Sequence, residues 1–376
     1  MSVSEKLFSK KDLSKLIFPL MIELALTLLV GMIDSVMVSS AGEEAVSGVS
    51  LIDTVFQLLI YIFAAFGTGG AVVAGQYLGA GKQREARETS GQLVWFSGLV
   101  SLGITGLIYI LRRLLLTVVF GAITQEVYDS ANAYLLISAL SIPALSVYES
   151  GAAIFRTMGN SKITMYLSAM MNFINICGNA FLIYFLKLGT AGAAIATVIS
   201  RYAAAVVIVR LLLQKNRTLY LEKTFRYKPN GKLIKKILSI GVPNGVENGL
   251  FQAGKIILVS LVTSFGTSAI TANTVCQTIA GIQVIPGSAM QLAATTVIAR
   301  CIGAGDLDQA KYYNRLLLTM SYAALFLFCG AMWFSLPVIL KWYNLSQATA
   351  ELAIISASSI FRAMTTTPAI ISAKPL

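Results

Sequence analysis

Long apolar segments separated by short polar ones dominate this sequence. We interpret ten of them as membrane-spanning helices, because crossing a bilayer core of roughly 30 Å takes about 20 apolar residues. The ten segments are 16–40, 48–78, 90–111, 130–154, 163–186, 190–213, 240–264, 269–301, 314–338 and 350–372. The pattern therefore predicts an all-α integral membrane protein with about ten transmembrane helices.

Composition supports this interpretation. The 376 residues are 56% hydrophobic and only 12% charged, whereas soluble domains carry about 25% charged residues. The first apolar segment follows several lysines, as a secretory signal peptide would. It is long, it contains two acids and many similar segments follow it, so we expect it to be retained as the first span.

Lysine and arginine are distributed unevenly between the connecting segments. The side that includes the amino terminus carries 20 of these bases and the opposite side carries 4. Since positive loops stay in the cytoplasm, we expect a multi-pass protein of the cell (plasma) membrane with a cytoplasmic amino terminus. This bias accounts for the net charge of +12 without a nucleic-acid partner. The bases of the polar linker 214–239 could also bind anionic headgroups, but a topology-setting role is favoured.

The sequence contains an internal repeat. Residues 16–86 and 240–310 share 15 of 71 positions at a constant shift of 224. Six spans precede the polar linker 214–239, and an even number returns the chain to its starting side, so the two repeats are predicted to be parallel. We thus expect an amino-terminal lobe at 1–213, the linker, and a carboxy-terminal lobe at 240–376.

The second repeat is shorter than the first. Only 137 residues remain from Ile240 onward, against about 200 in the first repeat. The second lobe is therefore expected to be incomplete by two spans, as in a truncated product.

Four short motifs give a family resemblance. They are Pro19 followed by Met32-Ile-Asp34-Ser-Val-Met-Val38, then Gln76-Tyr-Leu-Gly79-Ala-Gly81-Lys82, Phe155-Arg156-Thr-Met-Gly159-Asn160, and Gly189-Thr-Ala-Gly192-Ala-Ala-Ile-Ala-Thr197. In this order they resemble the multidrug and toxic compound extrusion (MATE) family. The resemblance implies two six-helix bundles around a central V-shaped cavity. It also implies a secondary antiporter that exports amphipathic or cationic drugs or toxic compounds in exchange for H⁺ or Na⁺.

The strongest candidate site residue is Asp34, because an unpaired carboxylate inside the bilayer is costly and is usually functional. The resemblance places the family's cation-coupling site at Asp34, Asn175, Asn179 and Thr197. At Asn179 the family has an aspartate, so this chain offers one carboxylate, two amides and a hydroxyl. These residues could hold Na⁺ or one proton, and no other cofactor is expected.

Six polar residues are candidates for the wall of the substrate cavity. They are Glu23, Asn172, Glu247, Asn248, Asn273 and Gln277. For Glu23 an equally good alternative is support of the turn loosened by Pro19. For Asn172 an alternative is hydrogen bonding between helices. For Asn273 and Gln277 an alternative is polar packing beside Pro286.

Other charged residues give weaker indications. Glu149 and Arg156 lie seven residues apart on one helix face, so an ion pair between them is expected. Arg201 and Lys255 receive no role.

Other classes of function fit less well. The chain has no histidine, its four cysteines are scattered, and no nucleophile–base pair or metal-binding cluster suggests an enzyme. The main alternative is a lipid-linked oligosaccharide flippase or another ion-coupled transporter of related architecture. A flippase should carry several intramembrane bases for pyrophosphate, and only Arg201 and Lys255 qualify. The expected partners are a small organic substrate and the lipid bilayer, with a monomeric protein.

Overall fold

The computed structural model describes residues 7–119, 124–222, 228–263 and 267–342, and within these ranges the regular structure is helical. The α-helices are α1 (Lys10–Ser39), α2 (Glu43–Gly79), α3 (Gln83–Leu114), α4 (Gln125–Ser138), α5 (Ile142–Thr157), α6 (Ser161–Asn179), α7 (Gly189–Leu212), α8 (Gly231–Thr263), α9 (Thr267–Gly303) and α10 (Leu307–Trp342). Eight helical segments of the described chain are long and apolar enough to cross a membrane. The prediction of an all-helical membrane protein is confirmed.

Each of the first nine predicted spans corresponds to helix in the structure. The first six correspond in order to α1, α2, α3, the continuous pair α4–α5, α6 and α7, and the next three to α8, α9 and α10. A single 3₁₀ turn, Ala139–Ser141, joins α4 to α5, and π-helical turns extend α3 and α6 to Val119 and Phe185. The tenth predicted span, 350–372, lies outside the described residues.

Short sequence signals set the helix ends. Ser9 caps α1: its hydroxyl accepts from the Asp12 amide, while the Asp12 carboxylate accepts from the Ser9 amide at 3.0 Å. This reciprocal arrangement satisfies amides that the first helical turn leaves unpaired. After α2 and α9 the chain turns at Gly81 and Gly305, whose φ angles are +73° and +76°. A left-handed conformation of this kind favours glycine, and the two residues occupy equivalent positions of the repeat.

The chain divides into two compact units. The first comprises Met1–Asn248 together with Thr295–Ala310. In it α1 packs mainly on α6, α2 on α5, and α6 on α7. One apolar core of this unit includes Ile52 and Phe63, and another includes Phe155 and Ile208.

The second unit comprises Gly249–Ala294 and Lys311–Leu376. Within it, Gly287 of α9 faces the side chains of Leu325 and Ser321 on α10, at 3.6 to 3.8 Å from where a Cβ would stand. Gly287 directly follows Pro286, and at these distances an added Cβ would make ordinary van der Waals contact with α10.

The carboxyl ends of α2 and α9 meet inside the first unit through small residues. A Cβ added to Gly75 would lie 3.0 Å from the Cβ of Ala299. A Cβ on Gly79 would overlap the carbonyl oxygen of Arg300, and a Cβ on Gly303 would overlap that of Gln76. The shift of 224 relates position 75 to 299, 76 to 300, and 79 to 303, so the contact is reciprocal.

Candidate functional site: a charged cavity among the amino-terminal helices

Helices α1, α2, α4, α6 and α7 enclose a cavity of about 260 Å³ within the first unit. Its wall is rich in ionisable and amide side chains, which is unusual for membrane-spanning helices. The polar residues that the following argument uses are Asp34, Asp53, Tyr134, Asn172, Asn175, Asn179, Thr197 and Arg201. The four residues of the predicted cation site thus lie together, although their function is not tested by this arrangement.

Small residues bring α6, which carries Asn175 and Asn179, close to α7, which carries Thr197. A Cβ on Gly178 of α6 would lie 2.9 Å from the Cβ of Ala196 on α7, so a larger residue at 178 would push the helices apart. Asn179 and Thr197 follow these contact positions directly. The close approach of α6 and α7 therefore places their polar side chains on one wall of the cavity.

Asp34 is held by a hydrogen bond from α6. The Nδ2 atom of Asn179 donates to Asp34 Oδ1 at 2.8 Å. The other end of this amide, Asn179 Oδ1, is buried and receives no hydrogen bond from the described residues. Since buried polar atoms normally have a partner, an unpaired oxygen beside a carboxylate suits a cation ligand.

The Asn175 amide has two workable orientations. In one, its Nδ2 donates to Thr197 Oγ1 at 3.3 Å and its Oδ1 accepts from Asn179 at 3.4 Å. In the other, its Nδ2 donates to both carboxylate oxygens of Asp34, at 2.8 and 3.0 Å, and its Oδ1 accepts from Thr197 at 3.3 Å. The second orientation is favoured when Asp34 is ionised, because it turns an amide N–H and not an amide oxygen toward the carboxylate.

A second carboxylate and a guanidinium share the cavity. Tyr134 donates to Asp53 Oδ1 at 3.2 Å. Arg201 donates to Ser141 Oγ at 2.7 Å, and its guanidinium carbon lies 5.1 Å from the ring centre of Phe56. With both acids ionised, the two carboxylates and one guanidinium give the cavity a net charge of −1, which one proton or one sodium ion would neutralise.

Arg201 received no role in the sequence analysis, which did not single out Asp53 or Tyr134 either. Asp53 lies inside the apolar segment 48–78, so the criterion that identified Asp34 would also have found it. Tyr134 carries no comparable signal, because tyrosine is common at membrane interfaces.

Two of the predicted substrate-cavity residues in the first unit have different surroundings. Asn172 lines the charged cavity. Glu23 instead accepts from Arg156 at 3.4 Å and from the Thr164 hydroxyl at 2.6 Å, and both acid and base are largely buried. Among the described residues, the ion pair of Arg156 is with Glu23. Its predicted pairing with Glu149 is wrong, because packing between helices decides the partner.

The remaining four candidates lie on α8 and α9. Glu247 is exposed, while Asn248 donates to the Asn244 carbonyl oxygen of its own helix at 2.8 Å. Asn273 is half-buried and Gln277 is exposed on α9, in the second unit. The part they play in transport stays a prediction.

Fold and site together define a polytopic helical membrane protein with an ionisable site among its spans. The MatE family model matches residues 19–181 and 243–372. The chain therefore belongs to the MATE family of multidrug and toxic compound extrusion transporters.

Curated relatives and solved structures agree with this assignment. The chain is 28% identical over 329 residues to the uncharacterized transporter YisQ of Bacillus subtilis, covering 85% of this chain and 70% of YisQ. It is 26% identical over 306 residues to the probable multidrug resistance protein NorM of Thermotoga maritima, covering 80% of this chain but only 64% of NorM.

The fold matches an outward-facing structure of a multidrug resistance MATE family transporter with a TM-score of 0.87 at 19% identity, over 96% of this chain and 80% of that one. A MATE crystal structure in the bent conformation gives a TM-score of 0.86 at 20% identity, with 96% and 79% covered. At these identities the structures support the fold alone.

Proposed function

We propose that this chain acts as a secondary antiporter that exports amphipathic or cationic organic compounds in exchange for H⁺ or Na⁺. The family and relatives named for multidrug resistance support drug efflux. The observation that carries the coupling proposal is the cavity lined by Asp34, Asp53 and Arg201, together with the Asn179 oxygen, which is buried without a hydrogen bond from the described residues. The chain covers 64% of the length of NorM of Thermotoga maritima, so export activity of the whole protein is part of this proposal.

Proton coupling would use the two orientations of Asn175. When Asp34 is ionised, the amide nitrogen faces the carboxylate and donates to it. When Asp34 is protonated, its O–H can donate to the amide oxygen, while the amide nitrogen donates to Thr197. A rotation of one side chain would therefore accompany each change of proton occupancy and keep a donor facing an acceptor between Asn175 and Asp34.

Sodium coupling would use the same residues as ligands. Asp34, Asn175, Asn179 and Thr197 can present a carboxylate, two amide oxygens and a hydroxyl, and hard cations prefer such oxygen donors. Binding of Na⁺ would turn the Asn175 oxygen toward Asp34, because the cation satisfies both acceptors. Either ion removes the net charge of the cavity, and this change would favour one of two conformations in which the site opens to opposite sides.

The finer architecture is part of the same proposal. It comprises lobes at 1–213 and 240–376 joined by the linker 214–239, ten spans in two parallel repeats, and a central V-shaped cavity. Two separate matches to the family model and the reciprocal contacts of Gly79 and Gly303 support the duplication. The polar residues of α8 and α9 would line that cavity, with Glu23 and Asn172.

We further propose a monomer in the plasma membrane with a cytoplasmic amino terminus, whose partners are small organic substrates and lipid. The excess of 20 basic residues over 4 supports this orientation.

Ethidium transport into proteoliposomes tests the coupling. The purified chain is reconstituted and dye movement is followed with an imposed H⁺ gradient, an imposed Na⁺ gradient, both or neither. We expect one gradient to drive transport and Asp34→Asn to abolish it. Glu44→Gln is the matched control, because this exposed acid at the start of α2 faces no part of the cavity. Gradient-driven transport by Asp34→Asn would refute the site, and transport independent of both gradients would refute antiport.

A further inference from the structure

A polar pocket and an apolar groove are continuous on the outside of the first unit. The polar pocket, of about 470 Å³, lies where α3 begins and meets the segment that follows α7. The apolar groove, of about 640 Å³, runs between α3, α5 and α7. Trp95, Leu221 and Glu222 line both, so they form the junction between the two. Neither cavity includes a residue of the charged cavity at Asp34.

The polar pocket is basic and partly rigid. Among the described residues, Arg84, Arg87 and Lys228 line it with the acids Glu88 and Glu222, and these five side chains sum to a charge of +1. Arg87 is fixed by hydrogen bonds to the Thr218 carbonyl oxygen at 3.1 Å and to the Tyr220 hydroxyl at 3.3 Å. Its guanidinium also stacks 4.4 Å from the Tyr220 ring centre.

The acids of the pocket are not equivalent. Glu88 accepts a hydrogen bond of 2.8 Å from Asn230, which fixes one carboxylate oxygen. Glu222 lies at the junction with the groove and is exposed. Arg84 and Lys228 are exposed as well, so their charged ends are available to a ligand.

The apolar groove lies on a membrane-spanning surface. Leu99 and Leu102 of α3 are 50% and 58% exposed, and Trp95 at the junction is 40% exposed. Tryptophan is typical of the headgroup level of a bilayer, which suits a junction between a polar pocket and an apolar groove. Val147 of α5 and Val209 of α7 form the facing walls. From Val94 to Leu102 the groove follows α3 for about 12 Å, at 1.5 Å per residue.

We propose that this combined site binds one phospholipid of net charge −1. Its phosphate contacts Arg84, Arg87 and Lys228, and one acyl chain lies in the groove along Gly98 and Leu102. A single negative charge balances the +1 of these five described side chains, whereas a zwitterionic headgroup would leave it uncompensated. Basic pockets at the boundary of membrane helices bind anionic headgroups on the same principle. The proposal rests on the membrane-spanning fold and not on the transported ion or drug.

Blocking the groove tests the acyl-chain half of the proposal. Gly98 lines the groove, and a Cβ added there meets open space, so Gly98→Leu fills the groove without disturbing the protein. Gly103→Leu is the matched control on α3, because Gly103 also faces open space but lies outside both pockets. Native mass spectrometry of the detergent-purified chain, titrated with dioleoylphosphatidylglycerol, counts bound lipids. We expect one retained lipid on the wild type and on Gly103→Leu, and its loss on Gly98→Leu.

Removing charge tests the headgroup half. Each base near a membrane surface contributes about 1 kcal/mol to anionic lipid binding, so Arg84→Gln with Lys228→Gln should weaken phosphatidylglycerol binding roughly 30-fold. Dioleoylphosphatidylcholine should bind more weakly than phosphatidylglycerol and respond little to the double variant. Excess inorganic phosphate should not displace the lipid. Each of three results would overturn the proposal. They are equal retention of phosphatidylglycerol by Gly98→Leu and the wild type, equal binding of the two lipids, and displacement of the lipid by phosphate alone.

Discussion

Asn179 of α6 donates a hydrogen bond of 2.8 Å to Asp34 of α1, while its own carbonyl oxygen is buried without a donor among the described residues. One side chain thus stabilises the ionised carboxylate and also offers an oxygen to whatever binds there. The MATE resemblance places an aspartate at this position, which could offer oxygens but, when ionised, no donor. The two functions of the amide can therefore be separated by substitution.

Asn179→Ala should slow gradient-driven ethidium transport at least about tenfold, because a hydrogen bond to a charged group contributes about 1.5–3 kcal/mol. Asn179→Asp keeps an oxygen at the site but loses this hydrogen bond and, when ionised, brings the cavity to −2, so it should slow transport at least as much. Initial rates in proteoliposomes measure both. Wild-type rates for the alanine variant would remove Asn179 from the site. An aspartate variant as slow as the alanine variant would show that the donated hydrogen bond, and not the oxygen, is what matters.

The net charge of the cavity depends on Asp53 and Arg201 as well as on Asp34. Asp53→Asn brings the charge to zero and Arg201→Gln brings it to −2, so each should impair transport. Each should also lower the unfolding temperature in detergent, because it removes a charge that compensates an opposite charge within the same cavity. The double variant restores a charge of −1.

We therefore expect the double variant to recover part of both the rate and the thermal stability that each single change loses. Glu44→Gln, an exposed acid on the same helix as Asp53, serves as the control and should leave both unchanged. Additive losses in the double variant would contradict the charge argument.

Much of the fold follows from the sequence, because apolar segments of this length have few alternatives in a membrane. The residues around Asp34 were named through the family resemblance, since spacing alone cannot relate position 34 to positions 175 and 197. Asp53 could have been predicted by the rule that identified Asp34.

Pairing between distant helices could not be predicted in this way. The seven-residue spacing of Glu149 and Arg156 places them on one helix face, and this suggested an ion pair. Arg156 instead contacts Glu23, which is 133 positions away in the chain. The packing of helices determines that contact, and local periodicity carries no information about it.

Glu23→Gln should lower the unfolding temperature, because it leaves the largely buried Arg156 without its ionic partner while keeping an acceptor for Thr164. The expected cost is about 3 kcal/mol. Glu43→Gln, at the exposed start of α2, is the control. Thermal unfolding followed by size-exclusion fluorescence gives the shift. An unchanged unfolding temperature with weaker ethidium binding would show that Glu23 contacts the substrate instead.

The reciprocal packing of Gly79 and Gly303 gives a final prediction. Each residue lies against a carbonyl oxygen of the opposite helix, at positions related by the repeat. An added methyl group would therefore meet backbone, which cannot rotate away as a side chain can. Gly79→Ala and Gly303→Ala should each destabilise the protein by about 1–3 kcal/mol, the range found for overpacked sites.

Gly106→Ala on α3 is the control for both glycine variants. A Cβ at Gly106 meets open space, so alanine should be neutral or stabilise the helix by up to about 1 kcal/mol. Unfolding temperatures in detergent compare the three variants. Because the contact is reciprocal, the losses at 79 and 303 should be similar, and Gly79→Ala with Gly303→Ala should lose less than their sum, since the first change already separates the helices. A stable Gly79→Ala beside an unstable Gly303→Ala would show that the two ends of the contact are not equivalent.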